Sequence, residues 1–260
     1  MAITLRSRRE IELMRQAGVV VADVLSELQR IAAPGVTTAH LDKVALEMTA
    51  KAGAEALFKG VRSPQARRPF PGAICASIND EVVHGIPSDT VALKDGDILS
   101  IDFGVRLNGY CGDSALTVAI GSISEVSRRL MDATREALDI AISMARPGVK
   151  WSQIAGRMQK HCESAGFSVV RDFVGHGIGT RWHEDPKVPN FVSEDLLDDD
   201  ILLTEGMVIA VEPMVNAGGY AVRTLGNGWT VVTKDGKFSA HFEHTIAIVK
   251  GGCEVLTRRR

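Results

Sequence analysis

Two stretches of this chain, 113 residues apart, carry the same pattern. Ala32, Pro34, Gly35, Val36, Ala52 and Gly53 correspond to Ala145, Pro147, Gly148, Val149, Ala165 and Gly166 without a gap. In the first copy Ser7 and Glu10 read as a capping box. Ile11, Met14, Gly18, Val21, Leu25 and Leu28 then recur at helical spacing until Pro34-Gly35 stops the helix. Thr37 or Thr38 can cap a second helix with Leu41, Val44, Ala45, Met48 and Ala52 on its apolar face, ending at Gly53. Leu130, Ala133, Leu138 and Ile142 open the second copy. A further repeat follows at a spacing of 110: Gly96 to Asp102 aligns with Gly206 to Glu212, and Gly109-Tyr110 with Gly219-Tyr220. Each copy is an alternating strand that ends in a carboxylate. Two pseudo-equivalent helix–helix–strand halves are expected, with Asp102 and Glu212 at corresponding points on either side of a central cleft.

The halves are not expected to be separable. Pro and Gly interrupt the chain between Phe58 and Pro71, and again from Asp185-Pro186 to Pro189-Asn190, but neither stretch is long enough to link independent domains. We read residues 1–260 as a single domain, with pseudo-repeat halves of about 8–123 and 124–250. The 260 residues suffice to bury a substantial core, and 45% apolar with 24% charged residues is a globular composition. A formal charge of -2 gives no reason to expect a nucleic-acid partner. Cys75, Cys111, Cys162 and Cys253 form no Cys-x-x-Cys pair, which argues against a zinc knuckle or redox motif. The first twenty residues hold no secretory apolar block, and no segment is long enough to span a membrane, so the cytoplasm is the expected location. The basic tip Arg258-Arg259-Arg260 reads as a frayed, solvated end.

Candidate metal ligands come from three regions. Asp102 follows the apolar Ile98, Leu99 and Ile101, and Asn108-Gly109 is a strong reversal signal, so Asp102 and Asp113 should return to near opposition across a hairpin. As an isolated pair, strand aspartates are more often solvated or capping. Glu212 closes another apolar strand, Val208-Ile209-Ala210-Val211, and a buried glutamate there needs a partner; the plain alternative is a salt bridge to Arg223. Glu243 lies in the run Phe242 to Val249, where period two puts His241, Glu243 and Thr245 on one face. Four carboxylates at core-strand ends would repel one another unless cations joined them. His176, in Gly175-His176-Gly177-Ile178-Gly179, supplies an imidazole and completes a five-residue set suited to two metals about 3.5–4 Å apart. His161 and Cys162 lie on an amphipathic helix outside any ligand spacing and read as structural. His84 and His183 fit as neutral imidazoles that could stabilise a developing oxyanion, although a core or surface role is the plainer reading of each alone.

At this point the chain resembles the type I methionine aminopeptidases, a branch of the pita-bread metallopeptidases. The resemblance runs from the first helix through Val249. It is carried by Ser77-Ile78-Asn79 with Val82-Val83-His84-Gly85-Ile86-Pro87, by the Asp102 to Asp113 hairpin, by Gly175 to Gly179, by Glu212-Pro213-Met214 and by Glu243-His244-Thr245. It implies an α+β pita-bread fold, two pseudo-symmetric halves around a central antiparallel sheet. It also implies metal-dependent removal of N-terminal methionine ahead of a small second residue, by water attack on the first peptide bond. Asp102, Asp113, His176, Glu212 and Glu243 carry over as ligands of two divalent ions, with Co, Mn, Fe, Zn and Ni all compatible. Asp113 would bind mainly beside Asp102, and Glu243 would bridge. Glu212 carries over as proton acceptor, and His84 and His183 as substrate contacts. Phe70, Cys75, Trp182 and Trp229 map to the methionine pocket, and Asn79, Glu81 and Ser239 to a monovalent-cation site. Trp182 is a less familiar choice in the family, and Arg67-Arg68-Pro69 departs from its usual Tyr/Gly-rich rim.

The implied substrates are nascent polypeptide N-termini, with transient ribosome contact and a monomeric enzyme in the cytoplasm. The missing N-terminal extension and type II helical insertion point to a bacterial or organellar core. The alternatives are a proline-specific pita-bread exopeptidase, whose relatives carry a further N-terminal domain, and a non-catalytic protein-binding homologue, which should have lost ligands.

Overall fold

The structure, a computed structural model, describes residues 3–259. The first half opens with helices α1 (Arg8–Ile31) and α2 (Thr38–Lys51), followed by strands β1 (Glu55–Ala56), β2 (Cys75–Ile78), β3 (Glu81–Val83), β4 (Ile98–Leu107) and β5 (Tyr110–Ala119). The second opens with α3 (Glu125–Met144) and α4 (Trp151–Ser164), then β6 (Ser168–Val169), β7 (Gly175–Gly177), β8 (Glu184–Val188) and a short α5 (Glu194–Asp198). It continues through β9 (Val208–Val211), β10 (Met214–Asn216), β11 (Val222–Thr224), β12 (Val231–Thr233), β13 (Ser239–His241), β14 (His244–Val249) and β15 (Gly252–Val255). This is the α+β pita-bread architecture. Helices lie outside, and every paired strand is antiparallel to its neighbour.

The repeat extends to backbone angles. Ser7 and Ser124 cap α1 and α3 through their hydroxyls, and the opposite ends, Ala32 and Ala145, have φ/ψ of -67/111 and -67/112. Helices α2 and α4 are 14 residues each and end at Ala52 and Ala165 with nearly identical dihedrals. Gly35 and Gly148 turn at φ 89 and 84, a region that disfavours side chains. From there each amide donates to an incoming leucine carbonyl, Leu93 or Leu203, at 2.8 Å.

Helix α1 buries Ile11, Met14, Gly18, Val21, Leu25 and Leu28, the stripe expected from its spacing. Its close approach to β5 depends on Gly112, where an added Cβ would lie 2.9 Å from the Gly18 nitrogen and 3.1 Å from the Ala17 carbonyl carbon. The main core joins α1, α2, α3 and α4 to β4, β9 and β14 through Phe103, Leu99, Trp151, Ile209 and Ile246, among others. Cys162 is fully buried in it, and His161 pairs with Glu136 at 3.1 Å on the outer surface.

Three local expectations change. The Asp185 to Val188 region is not irregular: it belongs to β8, the edge of the five-stranded sheet β15-β14-β9-β7-β8. A proline is tolerated there because an edge strand leaves one side of its ladder unused. The run from Phe242 to Val249 is not one alternating strand: β13 ends at His241 and β14 begins at His244, with Phe242-Glu243 between them. The basic tip is not wholly solvated: Arg259 is largely buried and its guanidinium donates to the Ser114 hydroxyl at 3.3 Å. Arg260 lies outside the described residues. Among the described residues, no helix is long and apolar enough to cross a membrane.

Candidate dinuclear metal centre

The hairpin β4–β5 turns at Asn108-Gly109, both in the left-handed region at φ 52 and 83, as a two-residue loop requires. Its register pairs Asp102 with Ala115 and Asp113 with Gly104. The two aspartates thus share a face but stand diagonally rather than directly opposed. Gly104 is what leaves Asp113 its space: a Cβ there would sit 3.0 Å from Asp113 Oδ1.

The two glutamates arise from a matched break. Strands β9 and β10 are separated by Glu212-Pro213, and their partners β14 and β13 by Phe242-Glu243. Val211 pairs with His244 on one side of the break and Met214 with His241 on the other. Pro213 has no N–H to continue a ladder. Its carbonyl accepts instead from the Phe242 amide at 3.3 Å, while the Glu243 amide donates across to Ala115 at 3.0 Å. Both glutamates emerge where the ladder opens, facing the hairpin aspartates. Arg223 is exposed on β11, and Glu212 is flanked by two neutral imidazoles, His176 Nε2 at 3.7 Å and His241 Nε2 at 3.6 Å.

His176 sits on β7 between β8 and β9. Its Nδ1 lies 2.9 Å from the Gly177 carbonyl. Nδ1 must therefore carry the proton, which leaves the Nε2 lone pair aimed at Asp113 and Glu212. One donor atom each from Asp113, His176 and Glu243 lie within 4.8 Å of one another, all three residues buried. Asp113 therefore reaches the imidazole side of the centre as well as standing beside Asp102, more than the resemblance alone assigned to it.

The electrostatics call for cations. Burial raises Asp102, Glu212 and Glu243 well above the ordinary carboxylate range, with the neighbouring carboxylates adding to the shift. Asp113 is pushed up to about 7, again by burial, against the lowering effect of the Trp182 N–H and the Ser114 amide. Asp102 Oδ1, Asp113 Oδ1 and Glu243 Oε1 are buried without a hydrogen-bond partner. Unpartnered buried oxygens on converging acids are costly unless a cation satisfies them. The residues fit divalent metal: hard oxygen donors with one borderline imidazole.

Above the acids lies a cleft of about 560 Å³ lined by Asp102, His176 and Glu212 together with His84, His183, Phe70, Trp182 and Trp229. Burial lowers His84 to about 4 and lowers His183, so both are neutral at physiological pH. The His183 and His176 rings lie 4.3 Å apart. Phe70 and Cys75 form an apolar cluster with Phe58, against which Val61, Ile86, Trp182 and Trp229 pack. Trp229 Nε1 donates to the Arg68 carbonyl at 3.0 Å, which ties the Arg67-Arg68-Pro69 segment to the rim.

Asn79 and Ser239 are joined, the Ser239 amide donating to the Asn79 carbonyl at 2.7 Å. The Asn79 side chain is engaged elsewhere, donating to Asp97 and accepting from the Ile98 amide. Glu81 Oε2 accepts from the Ile78 amide. Sequence reasoning passed over His241, Phe58 and Phe173. His241 had a signal, since it shares the strand face of Glu243; Phe58 and Phe173 reach the cleft only through tertiary packing.

The family model for metallopeptidase family M24 matches residues 12–250. The chain belongs to this family. Within it, the chain is 47% identical to the methionine aminopeptidase of Clostridium perfringens, over 98% of both chains. It is likewise 47% identical to methionine aminopeptidase 1 of Bacillus subtilis, over 98% of this chain and 99% of the relative. The solved methionine aminopeptidase of Thermotoga maritima superposes with a TM-score of 0.93 at 40% identity, covering 99% of this chain and 100% of that one. The Pyrococcus furiosus prolidase shares the fold alone, with a TM-score of 0.77 at 21% identity and only 66% of its chain covered. This M24 chain thus lies beside the methionine aminopeptidases along its whole length.

Proposed function

We propose that this chain removes N-terminal methionine from nascent proteins and peptides, preferring a small second residue, with two divalent ions held by Asp102, Asp113, His176, Glu212 and Glu243. The observation that carries the reading is the convergence of buried Asp113, Glu243 and the tautomer-fixed His176, with Asp102 and Glu212 beside them in the lining of an apolar cleft. Full-length similarity to methionine aminopeptidases supports the choice of reaction. When bound, the ions would act as Lewis acids on the scissile carbonyl and on a water molecule.

The chain's own residues supply the rest. Glu212, its carboxylate open to the cleft and flanked by two imidazoles, takes the proton from the attacking water. Neutral His84 and His183 each keep one ring N–H with which to meet the carbonyl oxygen as its negative charge grows. Phe58, Phe70, Cys75, Trp182 and Trp229 receive the unbranched thioether and exclude water from it. Asn79, Glu81 and Ser239 would offer backbone oxygens to a monovalent cation. Residues 1–260 act as one catalytic domain whose halves, about 8–123 and 124–250, each supply ligands. The substrates place the work in the cytoplasm, with a monomer meeting nascent chains by transient ribosome contact.

The test is turnover of Met-Ala, Met-Gly, Met-Leu, Leu-Ala and Ala-Pro peptides by metal-free and Co(II)- or Mn(II)-loaded protein. Met-Ala and Met-Gly should be cleaved fastest, and only with metal. Preference for Ala-Pro would favour a proline-specific exopeptidase, and full activity in rigorously metal-free protein would overturn the mechanism.

A further inference from the structure

Trp182 belongs to the pocket by its ring and to the metal centre by its one polar atom. The ring packs edge-on against Phe58 at 4.4 Å between centroids and lies tilted against His183 at 4.4 Å. The indole Nε1–H leaves that apolar cluster and donates to Asp113 Oδ2. The residue it meets is anchored by its backbone, the Asp113 amide donating to Thr245 Oγ1 at 3.1 Å and the Thr245 hydroxyl donating back to the Asp113 carbonyl at 2.7 Å, while the carboxylate's other protein donor is the Ser114 amide. Opposite it Gly104 has no side chain to restrain the carboxylate. Rotation about the Cβ–Cγ bond of Asp113 is therefore restrained by the indole.

We propose that the indole N–H of Trp182 is a positioning group for Asp113, so that the wall of the side-chain pocket also sets metal affinity. The inference rests on the metal reading given above. A carboxylate oxygen has two lone pairs, so one can take the N–H while the other faces an ion. A hydrogen bond of this kind fixes a ligand's orientation before metal arrives, and losing one typically weakens affinity about 10–100-fold. A phenyl ring in the same place would keep the pocket wall and lose the donor.

Two replacements separate ring from donor. Trp182→Phe shortens the ring and removes the N–H; benzothienylalanine at 182, with sulfur in place of the ring nitrogen, removes only the N–H. Mn(II) binding to each metal-free protein is measured by calorimetry, with folding checked by near-ultraviolet circular dichroism. Both replacements should weaken Mn(II) binding about 10–100-fold. Wild-type affinity in both overturns the proposal. Weakening in Trp182→Phe alone also overturns it, because ring volume would then be the cause. Failure of the wild-type protein to bind Mn(II) defeats the metal reading itself and this proposal with it, a result distinct from the other two.

Discussion

His176 and His183 lie ring to ring, yet their surroundings prescribe different work. His176 has its Nδ1 proton committed to the Gly177 carbonyl and its Nε2 among carboxylates. His183 faces the open cleft beside Trp182. Replacing His183 with alanine should leave metal content unchanged and reduce kcat by about 10²–10³, the scale of losing one oxyanion donor. KM should change less, because the contact strengthens as charge develops on the carbonyl oxygen. Kinetics at saturating metal, paired with metal analysis, check this. Near-wild-type kcat would remove His183 from catalysis, and lost metal would make it a support for the centre. The sequence could place His183 seven residues after His176, but not within 4.3 Å of it, since that proximity comes from the pairing of β7 with β8.

Among the elements, α1 and the β4–β5 hairpin are coupled most directly. Asp113 follows Gly112, and Gly112 lies against the backbone of α1 at Ala17 and Gly18. Replacing Gly112 with alanine forces the helix outward or the strand inward, and overpacking of this kind costs about 1–3 kcal/mol. Because the neighbouring residue is a proposed ligand, Mn(II) affinity should fall together with the denaturation midpoint. Chemical denaturation with and without Mn(II) measures both. A variant with wild-type midpoint and affinity would show that the contact carries no strain to the hairpin. The alternating pattern of β4 and the Asn108-Gly109 turn were legible beforehand. The diagonal register was not, because only the paired backbone sets which residue faces Gly104.

At the scale of the whole molecule, the acid cluster links stability to pH and metal. Asp113 has an ordinary value of 3.8 and a folded value of about 7, so its contribution is fully present below about 4 and is lost as pH rises through 7. Asp102, Glu212 and Glu243 are raised too, and act in the same sense. The buried His84, His176 and His241, lowered from 6.5 to about 4, 3 and 3, act oppositely: their contribution is present above 6.5 and lost as pH falls. As pH climbs past 6.5 the unfolded chain's histidines lose their protons as well, so their opposing effect fades and the carboxylates come to act alone. Metal-free protein should therefore lose stability between about pH 6.5 and 8, at up to about 1.4 kcal/mol per pH unit for each acid still protonated. Mn(II) should abolish the decline. Urea midpoints across that window, with chelator or with Mn(II), check it; a flat or rising metal-free series would sink the argument.

By itself the sequence determined the two-fold plan and the identity of the acids. Helical periodicity, Pro-Gly stops and apolar runs closed by carboxylates are local signals, because they follow from backbone sterics and side-chain burial within a few residues. They located α1 to α4, the hairpin and Asp102, Asp113, Glu212 and Glu243, while the family resemblance supplied the roles. Tertiary structure alone decided how those groups meet. The split at Phe242-Glu243 was invisible because its cause lies elsewhere in the chain, at Pro213 between β9 and β10, where the ladder cannot continue. The strand at Glu184–Val188 was missed because proline is tolerated only once the strand is known to be an edge. Arg259 read as a solvated tip until Ser114 was folded beneath it. The indole of Trp182 read as pocket lining until packing aimed its N–H at Asp113. In each case the deciding partner is distant in the chain, and no local pattern encodes a contact that only the packed fold brings within hydrogen-bond reach.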